Sequence, residues 1–149
     1  MINLDRARNA SSRPPPLLLL VDSSLTSRHF MWRALSRAFG VIEAGSAGAA
    51  RHWITLRPDV DALIVQDELP DERGLELVRE LAAAHYPAAA RSIVLARRSP
   101  DWMAAAQAGP TLVEPGDFRT VLAKLASWFL APDSTLAKSL LGEAERLRA

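Results

Sequence analysis

The hydrophobic positions fall into two alternating patterns. Short, mostly apolar runs stand at Leu17–Val21, Val41–Glu43, Ala62–Val65, Ser92–Ala96 and Thr111–Val113, each bounded by polar or turn residues. Runs of that length predict strands; the unbroken apolar character of the first predicts burial on both faces, and the third reads as a buried strand. Between them lie longer stretches with helical spacing. Phe30, Met31, Ala34, Leu35 and Ala38 share one face, as do Leu75, Leu77, Val78 and Leu81, and again Phe118, Val121, Leu122, Leu125 and Phe129. Ala47–Leu56 predicts a further helix, ended by Arg57-Pro58, and Ser99-Pro100-Asp101 opens another in the favoured order of cap and proline. Asp22-Ser23-Ser24 supplies cap oxygens for the first helix, Gly40 and Gly109 are expected to close helices, and Pro132 to stop the last.

Strand and helix alternate five times, which predicts a parallel sheet with helices on both faces and right-handed crossovers. Ligands in such folds sit at the carboxyl ends of the strands. Asp22, Gln66, Ala96 and Glu114 stand at or just past those ends, so any chemistry is expected there. The flanks differ in character. Residues 1–16, MINLDRARNASSRPPP, are polar, basic and proline-terminated and are expected to form a flexible tail, either a plain leader or a proline ligand. Residues 17–131 form the domain. Residues 132–149 carry Leu136, Leu140, Leu141, Ala144 and Leu147 at amphipathic spacing, a helix expected either to dock on the domain or to pair with another chain.

Composition narrows the function classes. The chain has 149 residues, enough for one domain with a real core. A net charge of +1 gives no electrostatic reason to expect nucleic acid or an anionic membrane as partner. There is no cysteine, which excludes disulfides, thiolate catalysis and Cys-ligated zinc and suits the cytoplasm. No apolar run approaches the roughly 20 residues of a membrane helix, and Leu17–Val21 is shorter than a signal-peptide core. His29, His52 and His85 fall on predicted helices away from the strand ends, Ser23 and Ser24 read as caps, and no glycine-rich phosphate loop follows the first strand. These features argue against an enzyme.

The most informative stretch is Asp61–Gly74, DALIVQDELPDERG: strand, acidic loop, proline, glycine, helix. With LLLLVDSSLTSR before it and MAAAQAGPTLVEP after it, the chain resembles the receiver domains of bacterial response regulators over Leu17–Leu130. The resemblance implies a flavodoxin-like (βα)5 doubly wound parallel sheet of strand order 2-1-3-4-5. It also implies a pocket in which an aspartate accepts a phosphoryl group, acidic neighbours help hold Mg²⁺, and a lysine and a hydroxyl stabilise the phosphoryl oxygens.

At the positions matching that pocket this sequence keeps Asp22 but has Ser23 for the second carboxylate, Gln66 for the acceptor, Ala96 for the hydroxyl and Glu114 for the lysine. An amide cannot form an acyl phosphate, alanine has no oxygen, and glutamate reverses the lysine charge. The chain therefore reads as a degenerate pseudo-receiver, with no catalytic residue, a vestigial Asp22 and no Mg²⁺ cofactor expected. Asp67 neighbours Gln66, but it lies one residue too near the proline, and strand alternation is expected to turn it away. Asp22, Glu68 and Glu114 could form a carboxylate metal site, but carboxylates without a fixed ligand count are more often solvated or paired with arginine. Arg97, beside Ala96, is the expected neutraliser, in contact with Glu114.

Function then moves to surfaces. The resemblance implies that the face of the fourth helix and fifth strand, marked by Trp102 and Thr111, is the candidate interaction face. Trp102 either anchors a partner or packs on its own helix. The expected role is a phosphorylation-independent signalling adaptor for a protein partner, a histidine kinase, an effector or a second copy in a homodimer, with no nucleic acid or membrane partner. The alternative is a stand-alone response regulator still switched by phosphate or a small ligand at the degenerate pocket.

Overall fold

The computed structural model describes residues 14–100, 102, 104, 109–131 and 134–148. Five parallel strands, β1 (Leu17–Val21), β2 (Gly40–Ala44), β3 (Ala62–Gln66), β4 (Ser92–Leu95) and β5 (Thr111–Val113), form one sheet in the order β2-β1-β3-β4-β5. Helices α1 (Leu25–Leu35), α2 (Ala47–Leu56) and α3 (Gly74–Ala83) follow the first three strands, α4 (Phe118–Phe129) follows the fifth, and α5 (Thr135–Arg148) ends the chain. This is the flavodoxin-like order that the sequence implied. Between β4 and β5, Trp102 and Ala104 are helical. The expected inward positions of that helix, Met103 and Ala106, and most of the N-terminal tail lie outside the described residues.

Alternation along β1 explains why it needs an unbroken apolar run. Leu18 and Leu20 enter a layer with Met31, Leu35, Val121, Leu122 and Leu125, from α1 and α4. Leu19 and Val21 enter the opposite layer with Ala50, Ile54, Leu77, Val78 and Leu81, from α2 and α3. Each fully buried leucine contributes about 1.5–3 kcal/mol. The helices start where their caps dictate. Ser24 Oγ accepts from Ser27 N at 3.2 Å, Ser46 Oγ from Ala49 N at 3.1 Å, and Asp117 Oδ1 from Thr120 N at 3.2 Å.

Gly40 does not close α1. The helix ends at Leu35, Phe39 N folds back onto Leu35 O (3.0 Å), and Gly40 is the first residue of β2, where an added Cβ would meet Leu17 Cδ1 at 3.2 Å. A 3-10 turn at Pro87–Ala90, absent from the hydrophobic pattern, tucks Ala88 and Ala89 beneath α3. His85 lies just past α3 with φ 63° rather than within a helix.

The C-terminal helix docks on the domain. It packs along α4 and touches α1, with Ala137 and Leu140 buried and Arg119 Nε paired with Glu145 Oε1 at 3.0 Å. Leu136 and Leu141, expected on the same stripe, stay exposed. No helix among the described residues is long and apolar enough to cross a membrane.

Candidate functional site

The carboxyl ends of β1, β3 and β4 open into a cleft of about 370 Å³. Asp22, Gln66, Ala96 and Arg97 line it, with Asp67, Glu68 and Arg73 on its loop side. Parallel register brings them together: Val21 pairs with Val65, and Gln66 with Leu95. Beyond the ladders, Asp22 N donates to Ala44 O (3.0 Å), Asp67 N to Leu95 O (2.9 Å) and Ala96 N to Val113 O (2.9 Å). Of the five positions picked from the sequence, Asp22, Gln66 and Ala96 line the cleft. Ser23 is exposed, and neither it nor Glu114 is among the lining residues.

Asp22 is 4 % exposed. Its Oδ1 accepts from Ser24 N at 2.8 Å, so the carboxylate starts α1 as well as facing the cleft. Its carbonyl accepts from Arg28 Nη1 (2.8 Å), and Arg28 Nε reaches Glu43 Oε1 at 3.1 Å, tying α1 to β2. Glu114 pairs with Arg98, Nε to Oε1 3.4 Å, and not with Arg97 as expected. Arg97, in the loop after β4, borders the cleft while Arg98 takes Glu114. Both partners of that pair are substantially exposed, so it adds little stability.

Asp67 departs from expectation in a more telling way. It borders the same cleft as Gln66, so alternation alone does not remove it. Its partners do. Asp67 Oδ2 accepts from Arg73 Nη2 at 2.6 Å and Nε at 3.1 Å, and Oδ1 accepts from Leu75 N at 3.0 Å. Its carbonyl takes Gly74 N at 2.8 Å. A carboxylate buried to 7 % exposure with both oxygens occupied is a fold element, poorly disposed to attack a phosphoryl donor. Gly74 permits the arrangement. An added Cβ there would fall 2.2 Å from Gln66 O and 2.7 Å from Val65 Cγ1, so only glycine lets α3 begin against the end of β3.

The loop between β3 and α3 is bound outward as well. Asp71 Oδ1 accepts from Ala47 N (3.0 Å) and Oδ2 from Gly48 N (2.9 Å), capping α2 from 24 residues away. These two backbone donors hold its carboxyl below the usual carboxylate range. Arg51 of α2 pairs with Glu72 (2.5 Å) and with Glu80 of α3 (2.7 Å), which raises the guanidinium further and lowers Glu80. No motif or spacing marks Asp71, Arg73 or Arg51 as paired; a cap supplied by a distant loop leaves no periodic trace.

The donor set does not fit Mg²⁺, a hard cation that takes oxygen ligands in near-octahedral array. Of the carboxylates lining the cleft, Asp22 accepts from Ser24 N and Asp67 is taken up by Arg73 and Leu75 N, while Gln66 offers a neutral amide and Glu114 turns to Arg98. Among the described residues no three acidic or histidine side chains converge to hold a metal.

The candidate interaction face lies to one side. Trp102 is half-buried, its N donating to Ser99 O at 3.0 Å, with the Arg98 guanidinium 5.5 Å over its ring. Thr111 is half-buried on β5, paired with Ile93 at the sheet's edge.

No protein-family model matches the chain, and no curated protein sequence does. Solved structures do match. A response regulator receiver protein from Pseudomonas putida is 23 % identical, covering 77 % of this chain and 98 % of its own, with a TM-score of 0.68. The chemotaxis protein CheY4 of Vibrio cholerae is 20 % identical over 76 % of this chain and 98 % of its own, at 0.68. A chain of the CheX–CheY–BeF3–Mg²⁺ complex from Borrelia burgdorferi is 20 % identical over 83 % and 96 %, at 0.69. At these identities the likeness is one of fold: the chain has the architecture of receiver domains over almost their full length.

Proposed function

We propose that this chain is a receiver-like module of two-component signalling that acts by binding protein partners without accepting a phosphoryl group. The observation that carries the reading is the state of the two side chains at the end of β3. Gln66 presents an amide where the fold's chemistry requires a carboxylate, and Asp67 beside it is consumed by Arg73 and the start of α3. Ala96 offers no hydroxyl, and Glu114, paired with Arg98 outside the cleft, stands where the resemblance implies a lysine for the phosphoryl oxygens. The module is not an enzyme in this reading and needs no Mg²⁺.

Binding falls to a surface already competent without phosphate. Trp102 and Thr111 mark the first candidate, because half-exposed tryptophan is a frequent hot-spot residue. Partners on this reading are a histidine kinase, an effector or a second copy of the chain. The burial of Leu140 and Ala137 against the domain commits the inner stripe of α5, so the Trp102 side carries more of the expectation than the C-terminal helix. The test is titration with beryllofluoride and Mg²⁺, a phosphoryl mimic, followed by amide NMR. No saturating shifts at Asp22, Gln66, Asp67 or Ala96 is the expected result. Saturating low-millimolar shifts there would instead favour a pocket still switched by phosphate or a small ligand.

A further inference from the structure

Four acidic residues crowd the β3–α3 loop, Asp67, Glu68, Asp71 and Glu72, yet three of them are committed to contacts within the chain. Asp67 closes the loop on itself, through Arg73, Leu75 N and Gly74 N, with a backbone bridge between Glu68 and Arg73. Asp71 places one carboxylate oxygen on each of the first two amides of α2, Ala47 N and Gly48 N. Glu72 takes Arg51, which also holds Glu80 on α3 through two parallel bonds of 2.7 and 2.9 Å. Ser46 already caps Ala49 N, so Asp71 satisfies donors that the local cap leaves open.

We infer that these contacts form an internal latch that fixes the β3–α3 loop against α2, with Asp71 as its positioning residue. The inference rests on the reading of a pocket without phosphotransfer. Where no phosphoryl group arrives to organise the strand-end loops, the chain's own carboxylates perform the ordering. A bidentate carboxylate at a helix N-terminus combines charge-assisted hydrogen bonds with the favourable end of the helix dipole. Its two oxygens act across 24 and 23 residues of sequence, so the contact joins the loop to a separate element rather than stiffening the loop alone. The consequence is a cleft wall held in one arrangement, with Arg73 kept on Asp67 and α3 fixed relative to α2.

The test is site-resolved amide hydrogen exchange on the whole chain, comparing wild type with Asp71→Ala and with Arg51→Met. The latch predicts that the amides of 67–69 and 71–75 and those of Ala47 and Gly48 exchange about five-fold faster or more in Asp71→Ala, as removal of a helix cap implies. Amides of β1, β3 and α4 should keep wild-type rates. Arg51→Met should loosen the loop and leave Ala47 and Gly48 less affected, because it removes the outer pair and keeps the cap. Unchanged loop exchange in Asp71→Ala overturns the latch. So does acceleration spread evenly over the core, which would mark a purely global stability effect. Acetyl phosphate labelling of the same samples separates the two readings: a labelled wild type overturns the proposed function, whereas the exchange pattern alone decides the latch.

Discussion

Replacing Gly74 by alanine tests how closely the fold holds the end of β3. The position is buried, and the contacts facing a new Cβ are Gln66 O at 2.2 Å, Val65 Cγ1 at 2.7 Å and Gln66 C at 2.9 Å. Two of the three are backbone of a strand hydrogen-bonded on both sides, to β1 and β4, so the strand has no inexpensive way to yield. If α3 retreats instead, it stretches the bonds from Gly74 N and Leu75 N to Asp67. Overpacking of this kind costs about 1–3 kcal/mol, and a lost hydrogen bond adds about 0.5–1.5 kcal/mol. The opposing gain from alanine's helix propensity is at most about 1 kcal/mol. The net expectation is a loss of about 2 kcal/mol. With a urea m-value of about 1–3 kcal/mol/M, the unfolding midpoint falls by about 1 M. Gly142→Ala on α5 is the internal control: nothing lies within 4 Å of its new Cβ, and its stability should be equal or slightly higher. A Gly74→Ala midpoint at or above wild type would refute the claim that α3 is forced against the strand.

Two further outcomes follow from the packing and charges. Leu140→Ala removes a side chain only 2 % exposed and should cost about 2–4 kcal/mol, less if α5 frays before the domain unfolds; a midpoint unchanged within error would mean that α5 does not dock. Acid should weaken the fold through Asp71, Asp59 and Glu80, whose carboxyls are depressed by the Gly48 and Ala47 amides, by Arg57 and by Arg51 respectively. Groups depressed in the folded state contribute stability that is complete above their ordinary values of 3.8 and 4.5 and is lost as pH falls through and below them. The urea midpoint should therefore drop between about pH 5 and pH 3, and Asp71→Asn should flatten that slope; an equal slope in the variant would count against the cap.

The sheet was readable because each of its interior strands must be apolar on both faces. Leu17–Val21 and Ala62–Val65 carry that signature, whereas Gly40, expected to close a helix, is the first residue of β2. The site was readable only through position, not partnership. That Gln66 and Ala96 stand at strand ends follows from the alternation of elements; that those strands are neighbours is what the resemblance implied. Which arginine takes Glu114 depends on the path of the backbone over 96–99, which periodicity does not encode, and Arg98 rather than Arg97 takes the role. Asp67 was judged by strand alternation, but β3 stops at Gln66, so its side chain answers to the α3 terminus instead. No hydrophobic pattern or motif singles out Asp71. Its hydrogen bonds to Ala47 and Gly48 emerge only when α2 and the loop are placed together.

The central claim, a receiver scaffold whose pocket cannot take up a phosphoryl group, is tested most directly by phosphodonor labelling. Wild type, Gln66→Asp and a four-site variant, Ser23→Asp/Gln66→Asp/Ala96→Thr/Glu114→Lys, are incubated with acetyl phosphate and Mg²⁺ and weighed intact by mass spectrometry. The account predicts no phosphoryl adduct on wild type and none on Gln66→Asp alone, because Ala96 and Glu114 still leave the phosphoryl oxygens without stabilisation. It predicts an adduct on the four-site variant, at position 66. A stoichiometric adduct on the wild-type chain, at Asp22 or Asp67, would contradict it.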